Sequence, residues 1–182
     1  MVQRVEPGTR RWLIKAVREA AGELFQQFSG IGESGLRWRP ADGEWCLKEI
    51  AAHMRDAEQL YQRQLELIAR NRSPRLPYEA IDVLPSERDY RDQKLETLLW
   101  EWESLREETV WILYQLDEDD WQRTGLHPYR GEVSIYQIAR ELHEHDLEHL
   151  VQARRLREQA RQHCNLGHPR CLRQDRNAFV MP

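Results

Sequence analysis

The sequence predicts an all-α protein folded as a four-helix bundle, and three observations lead to this fold class. Four long segments repeat apolar residues at helical spacing. No segment sustains the alternation of apolar and polar residues, bounded by turn residues, that is typical of a strand. A chain of 182 residues is long enough for one domain with a sizeable core. Four amphipathic helices of such length pack most simply as a bundle.

The first helix is predicted over residues 9–29. Thr9 is a suitable N-cap, and Gly30 and Gly32 end the helix. The apolar residues that recur at helical spacing are Trp12, Ala16, Ala20, Leu24 and Phe28. They give this helix one apolar face for the core.

The second helix is predicted from Cys46, its N-cap, to about Arg70. Its apolar stripe consists of Ile50, Ala57, Leu60, Tyr61 and Ile68. The following segment, 71–85, contains three prolines and no periodicity, so it is a connection. At about 3.3 Å per residue it reaches about 50 Å, whereas a helix of about 25 residues is only about 37 Å long. It can therefore form a long crossover between helices 2 and 3, which leaves them parallel in an up-down-down-up topology. A loose antiparallel link is the alternative.

The last two helices are marked by their caps. Ser86, with Asp89 three residues later, is expected to cap the third helix, which ends at about Leu116. Ser134 and Gln137 form a capping box for the fourth helix. That helix is predicted to end at about residue 159.

The chain is therefore expected to consist of one bundle domain over 1–160 and a C-terminal tail over 161–182. The tail is polar and lacks periodicity, so we expect it to be loosely attached. Cys164 and Cys171 lie in it near two histidines, but their spacing matches no standard zinc finger. A flexible tail is expected rather than a second metal site.

Three histidines fall on the inward stripes of two predicted helices. At about 100° per residue, His145 and His149 lie within about 60° of the apolar Leu142. His53 lies equally close to Ile50 on the second helix. By contrast, the fourth helix's other histidine points almost the opposite way. We expect that residue, His143, to face solvent.

Buried imidazoles need partners for both ring nitrogens. A divalent metal ion shared by the three rings satisfies one nitrogen on each. Carboxylates close in sequence are available to hold the other nitrogens; they are Glu49, Asp56, Glu141 and Glu148. The alternative is that each histidine is an ordinary core residue with its hydrogen bonds satisfied. Helical spacing alone leaves both interpretations open.

Two motifs in the correct order resemble the family of DinB-like proteins. The first consists of the letters RP, GEWC, EIAAH and DAE between Arg39 and Glu58. The second consists of HP, a glycine and HDLEHLVQ between His127 and Gln152. The family has Ser or Thr where this chain has Cys46. The similarity covers roughly residues 9–158, and the tail has no counterpart in it.

The resemblance implies an up-down-down-up bundle, often dimeric, that holds a divalent metal through three histidines. Carried over position by position, the ligands are His53, His145 and His149. Imidazole suits zinc, nickel, copper and iron, so the sequence does not identify the ion; zinc or nickel is expected. Relatives of the family include transferases and isomerases that use a low-molecular-weight thiol. We therefore expect a small-molecule substrate, which a thiol of this kind would fit, and a homodimer.

Three imidazoles leave at least one coordination position open, which is typical of catalytic rather than structural metal sites. The leading hypothesis is metal-assisted transfer of a low-molecular-weight thiol to a small electrophile. Metal-assisted hydrolysis is the second hypothesis. The third is a non-catalytic bundle in which the metal only stabilises the fold.

Charge and hydropathy exclude two classes of partner. The formal net charge of -4 argues against nucleic acid, and no run of eighteen apolar residues predicts a membrane span. The first residues lack the apolar core of a secretory signal, so a cytoplasmic location is expected. A helix N-terminus can activate a thiol such as that of Cys46, but a cysteine replacing the usual serine cap is the preferred interpretation.

Overall fold

The computed structural model describes residues 5–167, with side chains as far as His163. Within this range the helices are α1 (Pro7–Phe28), α2 (Glu33–Leu36), α3 (Leu47–Arg70), α4 (Leu84–Glu87), α5 (Leu95–Gln115) and α6 (Ile135–Gly167). Two short strands, β1 (Thr124–His127) and β2 (Gly131–Ser134), lie between α5 and α6. Single 3-10 turns occur at Ile81–Val83, Tyr90–Asp92 and Asp120–Gln122.

The four long helices form the predicted bundle. Helices α1 and α6 are parallel, because Glu23 pairs with Arg154 and, further along both helices, the carbonyl of Gln26 accepts a hydrogen bond from Arg157. Helices α1 and α5 are antiparallel. The ring of Phe25 packs on Trp102, whereas the carbonyl of Val17, earlier in α1, accepts a hydrogen bond from Arg106, later in α5.

Helices α3 and α5 are also parallel, as the long crossover predicts. Arg55 pairs with Glu101, and two turns later Gln62 donates to Glu108. Helix α6 runs opposite to α3. Trp45, just before α3, stacks on His149 of α6, whereas Tyr61, further along α3, packs on His145, which comes earlier in α6. The all-α four-helix bundle with up-down-down-up topology is therefore confirmed.

Capping residues explain where two of the long helices begin. The backbone N–H of Cys46 donates to Glu49 at 2.8 Å in the capping box of α3. In the box of α6, the N–H of Ser134 donates to Gln137 Oε1 at 2.8 Å, and the N–H of Gln137 donates to Ser134 Oγ at 3.2 Å. Both predicted N-caps are confirmed.

Three predicted helix boundaries are wrong. Helix α1 begins at Pro7 rather than at Thr9, because proline at the first helical position already has the helical φ angle. Helix α5 begins at Leu95, since Ser86 belongs to the short helix α4 and the chain becomes extended after it.

Helix α6 runs to Gly167, beyond the predicted end near residue 159. Residues 168–182 and the side chain of Cys164 lie outside the described residues, and so does Cys171. The division of the chain into a bundle over 1–160 and a tail over 161–182 therefore stays a prediction.

The sequence does not predict the hairpin of β1 and β2. Its strands have only four residues each, too few for the sustained alternation that identifies a strand from sequence. The hairpin binds the crossover: the N–H of Leu126 donates to the carbonyl of Pro74 at 2.7 Å, and the N–H of Leu76 donates to the carbonyl of Leu126 at 3.0 Å. The connection between α3 and α5 is thus attached to the body of the protein.

A polar layer divides the core into two apolar clusters. The cluster at one end contains Ile50, Trp102 and Leu150, and the cluster at the other end contains Leu65 and Leu113, each with many neighbours. Between them lies the polar layer, which comprises His53, Glu58, Arg106, His145, Asp146 and His149. No helix within residues 5–167 is long and apolar enough to cross a bilayer.

Candidate metal centre

The structure brings the three predicted ligands together inside the polar layer. His53 on α3 is fully buried, and its Nε2 lies 2.9 Å from Nε2 of His145 on α6. One turn along α6, the ring centroid of His149 lies 4.6 Å from that of His53 and 4.5 Å from that of His145. One donor atom from each of the three residues lies within 4.8 Å of the others. This separation is small enough for a single ion to reach all three.

Two of the rings are oriented by hydrogen bonds to their Nδ1 atoms. The carbonyl of Ile81, in the crossover, lies 3.3 Å from His53 Nδ1. The amide oxygen of Gln152 lies 2.8 Å from His149 Nδ1. Because both oxygens are acceptors, each Nδ1 carries the proton and each Nε2 keeps a free lone pair. These are the lone pairs that a metal ion needs.

The carboxylates that neighbour the histidines in sequence do not orient the rings, so that expectation is wrong. Glu49 pairs with Arg39, and Asp56 accepts hydrogen bonds from Tyr90 and Arg55. Glu141 pairs with Arg130 in the same way, while Glu148 is exposed. Residues beside a histidine in a helix point to other faces, so a carbonyl and an amide from elsewhere take this role.

The three imidazoles are neutral at pH 7. Burial, with repulsion from His149, lowers the pKa of His53 to about 4. The same two causes lower the pKa of His145 to about 2, and burial also lowers the pKa of His149. Since only unprotonated imidazole binds metal, the burial of the site keeps all three donors in the binding state.

The chemistry of this donor set fits a divalent transition metal. Two Nε2 atoms 2.9 Å apart can share one proton at most, so the other lone pairs of the cluster stay unsatisfied without a further partner. Nδ1 of His145 is buried and has no hydrogen-bond partner among the described residues. Three convergent imidazoles are also a common ligand set for catalytic zinc.

A cleft of about 410 Å³ opens beside the histidines. Its walls include His149, Gln152 and two residues from connections, Trp45 and Asp82. The ring of Trp45 stacks on His149 at 5.8 Å with an interplanar angle of 5°. No pattern in the sequence marks Asp82, because the crossover has no periodicity from which its position can be inferred. A molecule in this cleft would contact the histidine cluster through His149.

Arg106 is the second residue that sequence reasoning missed. It is buried, and it donates to Glu58 at 2.8 Å, to Asp146 at 2.6 and 3.0 Å, and to the carbonyl of Val17 at 2.6 Å. Burial opposes its charge, but the two carboxylates outweigh burial and raise the pKa of Arg106. The guanidinium thus joins α5 to α1, α3 and α6 directly beside His145.

The structure also decides the roles of two other residues. Cys46 is fully buried, and burial raises the pKa of its thiol to about 11, which supports the interpretation as a cap over that as a nucleophile. His143 is half-buried with its ring edge-on to Trp12 at 5.5 Å, so the expectation that it faces solvent is wrong. The reason is that α1 packs along this side of α6. In the extension of α6, His163 stacks on Trp38.

Comparison with known proteins adds family and fold. The model of the DinB superfamily matches residues 15–153. A protein of Oceanobacillus iheyensis, provisionally named a metal-dependent hydrolase, is 24% identical over 141 residues, which cover 77% of this chain and 80% of the relative. The uncharacterized protein YuaE of Bacillus subtilis is 23% identical over 156 residues, covering 77% of this chain and 94% of YuaE.

Among solved structures, YfiT from Bacillus subtilis superposes with a TM-score of 0.78 at 15% identity. The match covers 87% of this chain and 91% of YfiT. YfiT is described as a probable metal-dependent hydrolase with an unusual four-helix-bundle topology. At this identity the match establishes a shared fold.

Proposed function

This chain belongs to the DinB superfamily, and we propose that it is a metal-dependent enzyme that hydrolyses a small molecule. His53, His145 and His149 would bind one divalent ion. The observation that carries the proposal is a cluster of three neutral, convergent imidazoles, one of which, His149, lines an open cleft. The provisional name of the Oceanobacillus relative and the description of YfiT support hydrolysis.

A bound ion would supply Lewis acidity at the base of the cleft. The residues of the chain do the rest. The carbonyl of Ile81 and the amide of Gln152 fix two of the imidazoles, so the donors are oriented before the ion arrives. Trp45 provides a flat apolar wall, and the cleft volume of about 410 Å³ suits a small molecule rather than a polymer.

Thiol transfer, the leading hypothesis from the sequence, now ranks second. Neither the names of the relatives nor a contact among the described residues favours a thiol over water as the nucleophile. A low-molecular-weight thiol remains a candidate partner and is included in the assay below. Zinc or nickel remains the proposed ion, since imidazole nitrogen suits both.

The experiment loads the purified protein with zinc or nickel, measures bound metal by elemental analysis, and assays hydrolysis of small esters and amides with and without added thiols. We expect about one ion per chain. His53→Ala and His149→Ala are expected to lose metal and turnover together. His143→Ala is the matched control, because His143 is on the same helix as His149 but outside the cluster. The proposal would be overturned if the wild-type protein retained no metal after loading, or if turnover survived His149→Ala.

A further inference from the structure

Asp82 places a carboxylate next to the histidine cluster, on the side where the cleft opens. Its Oδ1 lies 3.8 Å from Nε2 of His53. The side chain is 84% exposed, whereas that of His53 is fully buried. The carboxylate thus stands where the cleft meets the cluster, since Asp82 and His149 line the same cleft.

The backbone holds Asp82 at this place. The preceding residue, Ile81, accepts the hydrogen bond from Nδ1 of His53 at 3.3 Å. In the short Ile81–Val83 turn, Ile81 therefore contacts His53 through its carbonyl, and Asp82 directs its carboxylate toward the same histidine. Any shift of this turn would change both the orientation of the His53 ring and the position of Asp82.

The carboxylate of Asp82 is available for a ligand. Among the described residues it forms no hydrogen bond, and the nearest basic group to it is the neutral imidazole of His53. The other acidic residue of the cleft, Glu44, already pairs with Arg155. An aspartate that faces a cluster of metal-binding imidazoles and has no cationic partner is well suited to a cation.

The distance is consistent with two donors of one ion. Two donor atoms that are each about 2.0–2.2 Å from a zinc ion lie about 3.3–3.6 Å apart at the tetrahedral angle, and about 2.8–4.4 Å apart over angles from about 90° to 180°. The separation of 3.8 Å between Asp82 and His53 falls in this range. Asp82 does not have an oxygen within 4.8 Å of the donor atoms of all three imidazoles, so its exposed side chain would turn toward the histidines to share an ion with them.

We infer that Asp82 is a fourth protein ligand of the proposed metal centre, delivered by the crossover rather than by the bundle. The inference rests on the proposed three-histidine site. With three neutral imidazoles and one carboxylate, a divalent ion keeps a net charge of about +1. Zinc can accept a fifth ligand, so a substrate in the cleft still reaches the ion. The crossover then has a direct part in metal binding.

The test compares zinc affinity, measured by competition with a chromophoric chelator, and the visible spectrum of the Co²⁺-loaded protein. The variants are Asp82→Asn and Asp82→Ala. Glu87→Gln is the matched control, because Glu87 is an exposed acid five residues later that loses the same charge. We expect both Asp82 variants to bind zinc at least about tenfold more weakly, as loss of a ligand or of its partner usually does, and to change the Co²⁺ spectrum. The control should match the wild type.

Each other outcome has a defined meaning. Unchanged zinc affinity in Asp82→Asn overturns the inference and leaves the histidine site intact. Weaker binding with an unchanged Co²⁺ spectrum also overturns it, because the charge then acts through space and not as a ligand. Failure of the wild-type protein to bind zinc or cobalt overturns the proposed function itself. Because Asp82 is exposed, its variants should fold normally. Thermal unfolding of the metal-free variants, compared with that of the metal-free wild type, checks this.

Discussion

His53 and His145 are imidazoles that the folded chain keeps uncharged. Their pKa values, lowered to about 4 and about 2 by burial, lie below the value of about 6.5 in an unfolded chain. Below pH 6.5 the unfolded chain therefore binds protons that the folded chain does not. Their contribution to stability is fully present above pH 6.5 and is lost as the pH falls toward the folded values.

We therefore predict that the metal-free protein loses stability between pH 7.5 and pH 5. The cost is about 2 kcal/mol for His53 alone at pH 5. Urea unfolding at the two pH values measures it, and His53→Leu isolates the contribution, because this variant lacks the titrating group. The wild type should lose about 2 kcal/mol more than the variant. Equal losses in the two proteins would contradict the pKa shift of His53.

At the scale of single residues, the sequence predicts what depends on one helix. The inward direction of His53, His145 and His149 follows from helical periodicity, and the family motifs identify them as a set. The partners Ile81 and Asp82 are not predictable in this way. They reach the site through a connection whose path depends on tertiary contacts, and neither has a periodic pattern to mark it.

At the scale of elements, Arg106 is a single cation that joins four helices. Continuum arguments and experiments agree that removing one member of a buried ion network leaves uncompensated charge, which costs about 3–5 kcal/mol. Replacing the whole network by apolar residues of similar volume is much less costly. Comparing the two kinds of substitution therefore distinguishes the contribution of the charges to stability from that of apolar packing.

We predict that Arg106→Met lowers the free energy of unfolding by about 3–5 kcal/mol, because Glu58 and Asp146 stay buried without a partner. The triple variant Glu58→Leu, Arg106→Met, Asp146→Leu should recover most of that loss. Denaturant unfolding of both proteins at pH 7.5 gives the comparison. A triple variant no more stable than the single one would show that the charges themselves are required for folding.

The elements differ in how well the sequence predicts them. The capping boxes at Cys46 and Ser134 are local, because each uses residues only three positions apart, and both starts are predicted correctly. The hairpin and the true start of α5 depend on distant contacts. Leu126 pairs with the crossover. Before Leu95 the chain forms only the short helix α4 and a 3-10 turn at Tyr90–Asp92, in spite of the capping pattern at Ser86. Local signals fail where the tertiary fold determines the backbone.

For the molecule as a whole, apolar clusters lie on both sides of the polar layer. These clusters bury residues from all four long helices without using His53, His145 or His149. Most of the folding free energy should therefore come from apolar burial rather than from an ion. This distribution differs from that of small zinc domains, which unfold when the metal is removed.

We accordingly predict that chelation leaves the bundle folded. After treatment with EDTA, the far-ultraviolet circular dichroism at pH 7.5 should keep its helical signal, and thermal unfolding should remain cooperative at a lower midpoint. Returning one equivalent of zinc should restore the midpoint. Loss of helical signal on chelation would instead support a structural role for the metal, the third hypothesis from the sequence. The homodimer and the cytoplasmic location remain predictions.

The division of the cleft between helices and connections has a consequence for how this protein can diverge. The imidazoles stand on helices of the bundle, whereas Trp45 and Asp82 stand on connections, where substitutions are generally accepted more readily than inside helices. Substitutions in these connections would change the lining of the cleft while the bundle helices stay unchanged. For protein engineering, libraries confined to the loop before α3 and the turn at Ile81–Val83 should yield altered chemistry from a backbone that still folds.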